Sequence, residues 1–465
     1  MRLATLAALT LGIAVTSCGP DRGSNRDGSA QPDGASSPDS SSMDSAIVEA
    51  GGSDAAPDAA AMCPTMGAEI SGTVTAPNAE DPIPGAVVYL TATMPPAQAD
   101  GVSCDRCDLP AGVLAYSTSD ARGRWSFIRG VNASGSFFLV VQKGRFRKVT
   151  PLTVRACVPT TVPAAATRLP GSRMEGEIPR ILVASGTTQN QLDRPNTGDW
   201  TYDDIGRVLR RIGVTEFDRA EPCRQATTTT NVTTVDCPFG NILADNTRLR
   251  RYNVIVAPCG ALGFNRSWQV LDNASNRVIA NNVRDWLRLG GRLYTSDTAY
   301  GLLARSAPSL VTFAGGTTLS LMRDPANIGV GGSPSTPRTY TGRVNDDALR
   351  TWLADRGSLA MDGSISLTGF ISPWVAIDSV PMSTRVAVDA EVEWYTQTMG
   401  MTMAAGRRPL TVSADYTEGG GCGRVVFSSY EVDNRAASAA APLTPQERVL
   451  EYMLFELGGC LVTPG

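Results

Sequence analysis

The chain has 465 residues, 42% of them hydrophobic, a formal net charge of −4 and no histidine. That length holds two or three domains with proper cores, and nothing in the charge pattern makes the basic patch that nucleic acid requires. Without histidine, Ser-His-Asp and Cys-His catalysis and histidine-ligated zinc are all excluded, so any catalysis would have to rest on other groups, carboxylates above all.

Met1-Arg2 opens the chain with a short positive start, Leu3 to Val15 is an apolar run, and Val15-Thr16-Ser17-Cys18 closes it with small residues. Residues 1–17 read as a secretion signal, too short for a stable membrane span. The ending resembles a bacterial lipobox, which implies that Cys18 is lipidated and becomes the first residue of the mature protein. The expected partner is a membrane, reached through lipid at Cys18, and the expected location is the cell envelope, at the outer membrane or cell surface. Residues 19–62 are mainly Ser, Asp, Ala, Gly and Pro, without one aromatic, and they hold eight acids against two arginines. Such a segment buries too little apolar surface to offset its ordering entropy, so 18–62 is expected to be a disordered stalk. Its charge of −6 leaves residues 63–465 nearly neutral.

Residues 63–168 read as all-β. Runs at 69–75, 86–92, 113–117, 124–128 and 137–142 are rich in Val, Ile, Phe, Trp, Tyr and Thr. Pro84-Gly85 and Asp120-Ala121-Arg122-Gly123 mark turns between them, which predicts a small sandwich. The pieces Ile70-Ser71-Gly72-Thr73-Val74, Ile83-Pro84-Gly85-Ala86-Val87-Val88 and Ser119 to Phe127 resemble the carboxypeptidase regulatory-like, or transthyretin-like, domain. Such modules are usually non-catalytic. The departure is an inserted loop from Met94 to Pro110 carrying Cys104-Asp105-Arg106-Cys107.

Ten cysteines in an exported chain point to disulfides. With Cys18 lipidated, proximity suggests Cys63–Cys157, Cys104–Cys107, Cys223–Cys237 and Cys422–Cys460, leaving Cys259 over, although sequence cannot fix connectivity. The C-x-x-C sits in a polar loop rather than opening a helix, so a structural disulfide is favoured over a redox or metal site.

Thr160 to Glu177 is Pro- and Ala-rich, with 169–179 read as the linker between domains, and after it strand and helix alternate. Buried runs at 180–185, 252–257 and 292–295 flank helical patterns at 202–212 and 276–289, the second ending in Gly290-Gly291. Residues 306–344 read as an insertion, 385–395 and 409–416 as hairpin material, 424–430 as a late strand, and 445–457 as a final helix. The fold class is therefore multidomain: a stalk, an N-terminal β-sandwich and a C-terminal α/β domain over 180–465. Ile181 to Ser185, Tyr252 to Val256, Val283 to Leu293 and Gly423 to Tyr430 resemble the class I glutamine amidotransferase-like, flavodoxin-type fold. The whole layout resembles predicted surface lipoproteins of myxobacteria.

The amidotransferase mechanism needs an elbow cysteine and a histidine after the late strand. This chain has Ser296-Asp297-Thr298 at the elbow and Glu431 after the late strand, while Cys259 ends the preceding strand. Glutamine hydrolysis is rejected. The leading expectation is a non-enzymatic envelope protein binding another envelope protein or a glycan, with no cofactor and no metal. Two alternatives stay open. Asp297 and Glu431 could serve a carboxylate-based hydrolase of envelope or extracellular carbohydrate, with Ser296 beside them, or Cys259 could serve thiol-dependent chemistry.

Overall fold

The computed structural model describes residues 68–104, 109–131, 134–185, 203–222, 224–225, 235–262, 277–314, 327–328, 338–370, 374–396, 402–432 and 442–459. The signal segment, Cys18 and the stalk lie outside the described residues. Seven strands form the N-terminal sandwich: β1 (Ala68–Thr73), β2 (Val87–Thr91), β3 (Val113–Thr118), β4 (Arg124–Val131), β5 (Gly135–Lys143), β6 (Phe146–Val154) and β7 (Thr160–Thr161). One sheet runs β4-β1-β7 and the other β3-β2-β5-β6. The five strands expected from alternation are all present. The inner faces bury Ile70, Val88, Leu90, Phe127, Leu139 and Val141. Trp125 stacks at 4.9 Å from Phe127, and Gly72 leaves the room its ring takes. β6 escaped the sequence reading because Arg147, Lys148 and Pro151 interrupt its apolar pattern.

The remaining strands are β8 (Ile181–Ala184), β9 (Asp218–Ala220), β10 (Arg224–Gln225), β11 (Val235–Asp236), β12 (Val254–Ala257), β13 (Arg292–Ser296), β14 (Thr312–Phe313), β15 (Asn327–Ile328), β16 (Arg338–Val344), β17 (Ser364–Phe370), β18 (Trp374–Val375), β19 (Ile377–Ser379), β20 (Thr384–Thr396), β21 (Thr402–Tyr416) and β22 (Gly423–Ser428). The main sheet runs β17-β16-β20-β21-β22-β13-β12-β8-β9. Its β9-β8-β12-β13-β22 half is parallel. The other half is antiparallel, led by the expected β20–β21 hairpin. The span 306–344 does not stand apart from this sheet, since it supplies β16.

Strands β8, β12 and β13 are buried along their whole length, which is why β8 and β12 read as unbroken apolar runs. The helix Arg277–Arg288 sets Val283, Trp286 and Leu287 against them, and Trp286 Nε1 donates to Tyr252 O at 2.8 Å. Gly291 is needed here because a Cβ would collide with the Trp286 ring. The helix Pro445–Leu457 starts with a capping box, Thr444 and Glu447 satisfying each other's backbone nitrogens. Among the described residues no helix is long and apolar enough to cross a membrane.

The sandwich and the α/β domain share one continuous core that runs from Ile70 and Trp125 to Trp352 and Phe455. Phe146 of the sandwich stacks on Phe455, and Trp352 Nε1 donates to Pro82 O. Asp81, 2% exposed, sits at the joint and accepts from Arg448 (2.8 Å), Arg356 (3.2 Å) and Asn78 (2.7 Å). Burial pushes the neighbouring Glu451 up to about 8, so it is a neutral acid hydrogen-bonded to Asp81 at neutral pH. Residues 169–179 pack rather than hang: Leu169 and Ile178 are buried, and Glu177 exchanges backbone hydrogen bonds with Arg147.

The cysteine pairing differs from expectation. Cys104 is bonded to Cys422, with Cα atoms 5.5 Å apart, not to Cys107 three residues beyond. This also overturns the Cys422–Cys460 pairing. The inserted loop therefore acts as a strap crossing the N-terminal edge of the parallel sheet. Gly101 O accepts from Asn253 Nδ2, Val102 N donates to Arg250 O, and Ser103 packs directly on Gly290. Proximity in sequence misled here because the strap folds back across a neighbouring domain. Cys157 and Cys237 are also disulfide-bonded; Cys63 and Cys223, the partners expected for them, lie outside the described residues.

Candidate functional site

A cluster of buried polar groups fills the crevice at the C-terminal ends of β12, β13 and β22. Ligands bind at this end of open parallel sheets, because loops leave a gap where strand connections diverge. The register sets Ala257 beside Thr295 and Ser296 beside Ser428, so the residues that follow each strand meet at one level. All four residues singled out from sequence, Cys259, Ser296, Asp297 and Glu431, come together here.

Asp203, which the sequence reading did not single out, is the hub. It precedes the helix Ile205–Arg211 in a left-handed conformation at φ 45° and is 1% exposed. Its Oδ2 accepts from Ser296 Oγ (2.6 Å) and from the backbone nitrogen of Cys259 (2.9 Å). Its Oδ1 accepts from Val432 N at 2.9 Å. Three separate strand ends are thus tied to one side chain. Burial raises Asp203 above the usual carboxylate range, against the pull of these donors. The sequence held one signal for it. Asp203-Asp204 stands directly before an apolar-periodic helix, and Asp204 is the N-cap, accepting from Arg207 N. Starting the helix at residue 202 hid both.

Asp297 follows β13 at φ 40°, fully buried, and accepts from Val375 N at 2.8 Å. β18 thus closes over the crevice. Burial pushes Asp297 up to about 8, so at neutral pH it is largely a neutral acid. Its Oδ2 lies 3.2 Å from Cys259 Sγ, and Thr298 Oγ1 lies 3.1 Å from the same sulfur. Glu431 is 6% exposed, and one of its oxygens, one of Asp297's and Cys259 Sγ all lie within 4.8 Å of one another.

Cys259 is not the unpaired thiol expected. It is disulfide-bonded to a cysteine outside the described residues. Its sulfur is therefore neither a nucleophile nor a thiolate ligand in this state. The contact to Asp297 is then one in which the protonated carboxyl can donate to sulfur. Cys259, Asp297 and Glu431 have ligand-like spacing, but metal binding requires deprotonated ligands. Here that would mean breaking the disulfide and ionising Asp297. Ser296 also lacks a catalytic partner, since its hydroxyl is committed to Asp203. The tyrosines below the cluster are equally closed off. Burial raises Tyr294 and Tyr430 well above the usual phenol range, and Thr411 Oγ1 donates to Tyr430 Oη at 2.6 Å.

A pH dependence follows from Asp297. Folding moves it from near 3.8 to about 8. The native state therefore holds more protons than the unfolded chain between these values, and the unfolding free energy falls as pH rises through this window. Glu451 contributes in the same direction, from 4.5 to about 8. Denaturant unfolding at pH 5 and pH 8 should show this loss, and Asp297→Asn should show a smaller one. An unchanged loss in the variant would mean that Asp297 is ionised in the folded protein.

No protein-family model matches the chain, and no curated protein matches it. Among solved structures it is similar to an exo-β-1,4-mannosidase from Opitutaceae bacterium strain TAV5, at 12% identity and a TM-score of 0.27 over 65% of this chain. The match spans 38% of the mannosidase. A likeness at that score carries no argument about fold or activity.

Proposed function

We propose that the chain is an exported, lipid-anchored protein of the cell envelope that works as a binding module rather than an enzyme. Cys18 would hold it to a membrane, the stalk would space it outward, and the two joined domains would present their surface to an envelope protein or glycan. The observation that carries the non-enzymatic reading is the state of the crevice. Its four candidate residues are all gathered, yet buried, with Cys259 hydrogen-bonded to Ser296 and close to Asp297, and without a free thiol or an imidazole. The parallel strand order β9-β8-β12-β13-β22 supports the flavodoxin/amidotransferase-like expectation, because in chain order it reads 2-1-3-4-5. The seven strands in two sheets support the carboxypeptidase regulatory-like reading of the sandwich.

The hydrolase alternative draws on one specific fact, the approach of Asp297 and Glu431 within 4.8 Å, close to the roughly 5–5.5 Å of retaining glycosidases. Burial of both groups counts against it. Two measurements test the proposal. Cys18→Ala should move the protein from the membrane fraction to the soluble fraction, because the acyl chains supply about 0.8 kcal/mol per buried CH₂. Persistence in the membrane fraction would contradict the lipid anchor. Glycan hydrolysis by the native protein that Asp297→Asn abolishes would overturn the non-enzymatic reading.

A further inference from the structure

One well-formed cavity lies away from the crevice. It is a cleft of about 770 Å³ at the opposite, N-terminal end of the parallel strands, between the strap and the α/β domain. Ala97 to Gly101 form one wall, and Thr247, Arg250, Arg251 and Asn253 form the other. Arg145, Arg173 and Arg180 complete a lining of five arginines against two acids, Asp100 and Glu177. Much of this charge is already matched: Arg173 pairs with Glu216, Arg180 with Asp218, and Glu177 with Arg147. Arg250 and Arg251 are different. Both are exposed, and among the described residues neither side chain makes a hydrogen bond or an ion pair.

The walls are built rather than loose. Arg145 donates to Ala99 O at 2.7 Å and to Ser103 Oγ, Arg147 donates to Pro96 O at 2.6 Å, and Gln98 N donates to Glu177 Oε1 at 2.8 Å. The strap is then fixed to the sheet edge by Asn253 and by the Cys104–Cys422 disulfide. Gln98 Nε2, in the same wall, is buried without a hydrogen-bond partner. The size falls within the roughly 300–1,000 Å³ of small-ligand sites. Most of the lining side chains are polar or charged, with Ile178 the one large aliphatic among them. That suits a hydroxyl-rich ligand and not an acyl chain. Arginine forks match carboxylate and phosphate oxygens in pairs.

We propose that this cleft binds an acidic saccharide, its carboxylate or phosphate held by Arg250 and Arg251 and its hydroxyls by Thr247, Gln98 and Asp100. The proposal does not depend on the lipid anchor or on the state of the crevice.

The test is calorimetric titration of the full-length protein in detergent, at low and at physiological ionic strength. The probes are digalacturonate as the carboxylated sugar, glucose 6-phosphate as the phosphorylated one, and neutral galactobiose as the comparator. At least one acidic sugar should bind and galactobiose should not, and the acidic probe that binds identifies the source of the anion. Arg250→Ala with Arg251→Ala should weaken binding by about tenfold or more, since each lost charge-assisted hydrogen bond is worth about that factor. Arg248→Ala, an exposed arginine outside the cleft, should leave it unchanged. An unaltered denaturation midpoint in each variant keeps the comparison one of binding. The proposal fails if neither acidic sugar binds, if galactobiose binds equally well, or if Arg248→Ala weakens binding as much as the double variant.

Discussion

Replacing Asp81 with alanine should lower the unfolding free energy by about 3–5 kcal/mol, the cost of breaking a buried ion pair by removing one partner. Asp81 is the point at which the sandwich meets the α/β domain, and it compensates Arg448 and Arg356 together. Without it, Arg356 loses its carboxylate and Arg448 keeps only Glu451, which would have to ionise in a buried site. The joint also carries Trp352 on Pro82, Arg122 on Asp355 and Lys143 on Glu456. Arg122 and Asp355 are largely solvent-facing and contribute little beside Asp81. Denaturant unfolding followed by tryptophan fluorescence reads the effect. A loss below about 1 kcal/mol would place Asp81 among ordinary surface ion pairs, and the joined core would then have to hold the two domains without it.

Removing the Cys104–Cys422 bond, by alanine at both positions, should cost about 2–5 kcal/mol. The bond closes a loop across a sequence separation of 318 residues, so it constrains the unfolded chain strongly. It also fixes one end of the strap, and the variant should be cut faster by protease within residues 94–104 than the parent. Equal stability and equal cleavage would mean that Asn253, Arg145 and Arg147 hold the strap unaided.

Much of the layer architecture was legible because burial writes itself into sequence in simple ways. Ile181 to Ala184 and Val254 to Ala257 are apolar throughout because both faces of a parallel strand are covered. The final helix was legible to the residue because Thr444-Pro445 and Glu447 are capping chemistry that acts locally. What could not be read was what depends on distant contacts. β9 is three residues, Asp-Arg-Ala, and is a strand only because β8 offers it a partner. The strap's disulfide joins two domains, and no spacing rule reaches across them. The candidate cluster was half legible. Ser296, Asp297, Glu431 and Cys259 could be placed at strand ends by counting, but Asp203 became visible only once its three donors were assembled around it. The neutral state of Asp297 follows from complete burial, and sequence does not report burial of a loop residue.

The central claim is that the strand-end crevice is closed, and carbodiimide labelling of carboxyl groups in the native protein, read by peptide mass spectrometry, tests it most directly. Exposed Asp100 and Asp347 should be modified, while Asp203, Asp297 and Glu431 should stay unmodified until the protein unfolds. Modification of Asp297 and Glu431 in the native protein at the rate of Asp347 would show an open crevice with two accessible carboxyls, and would return the hydrolase reading to first place.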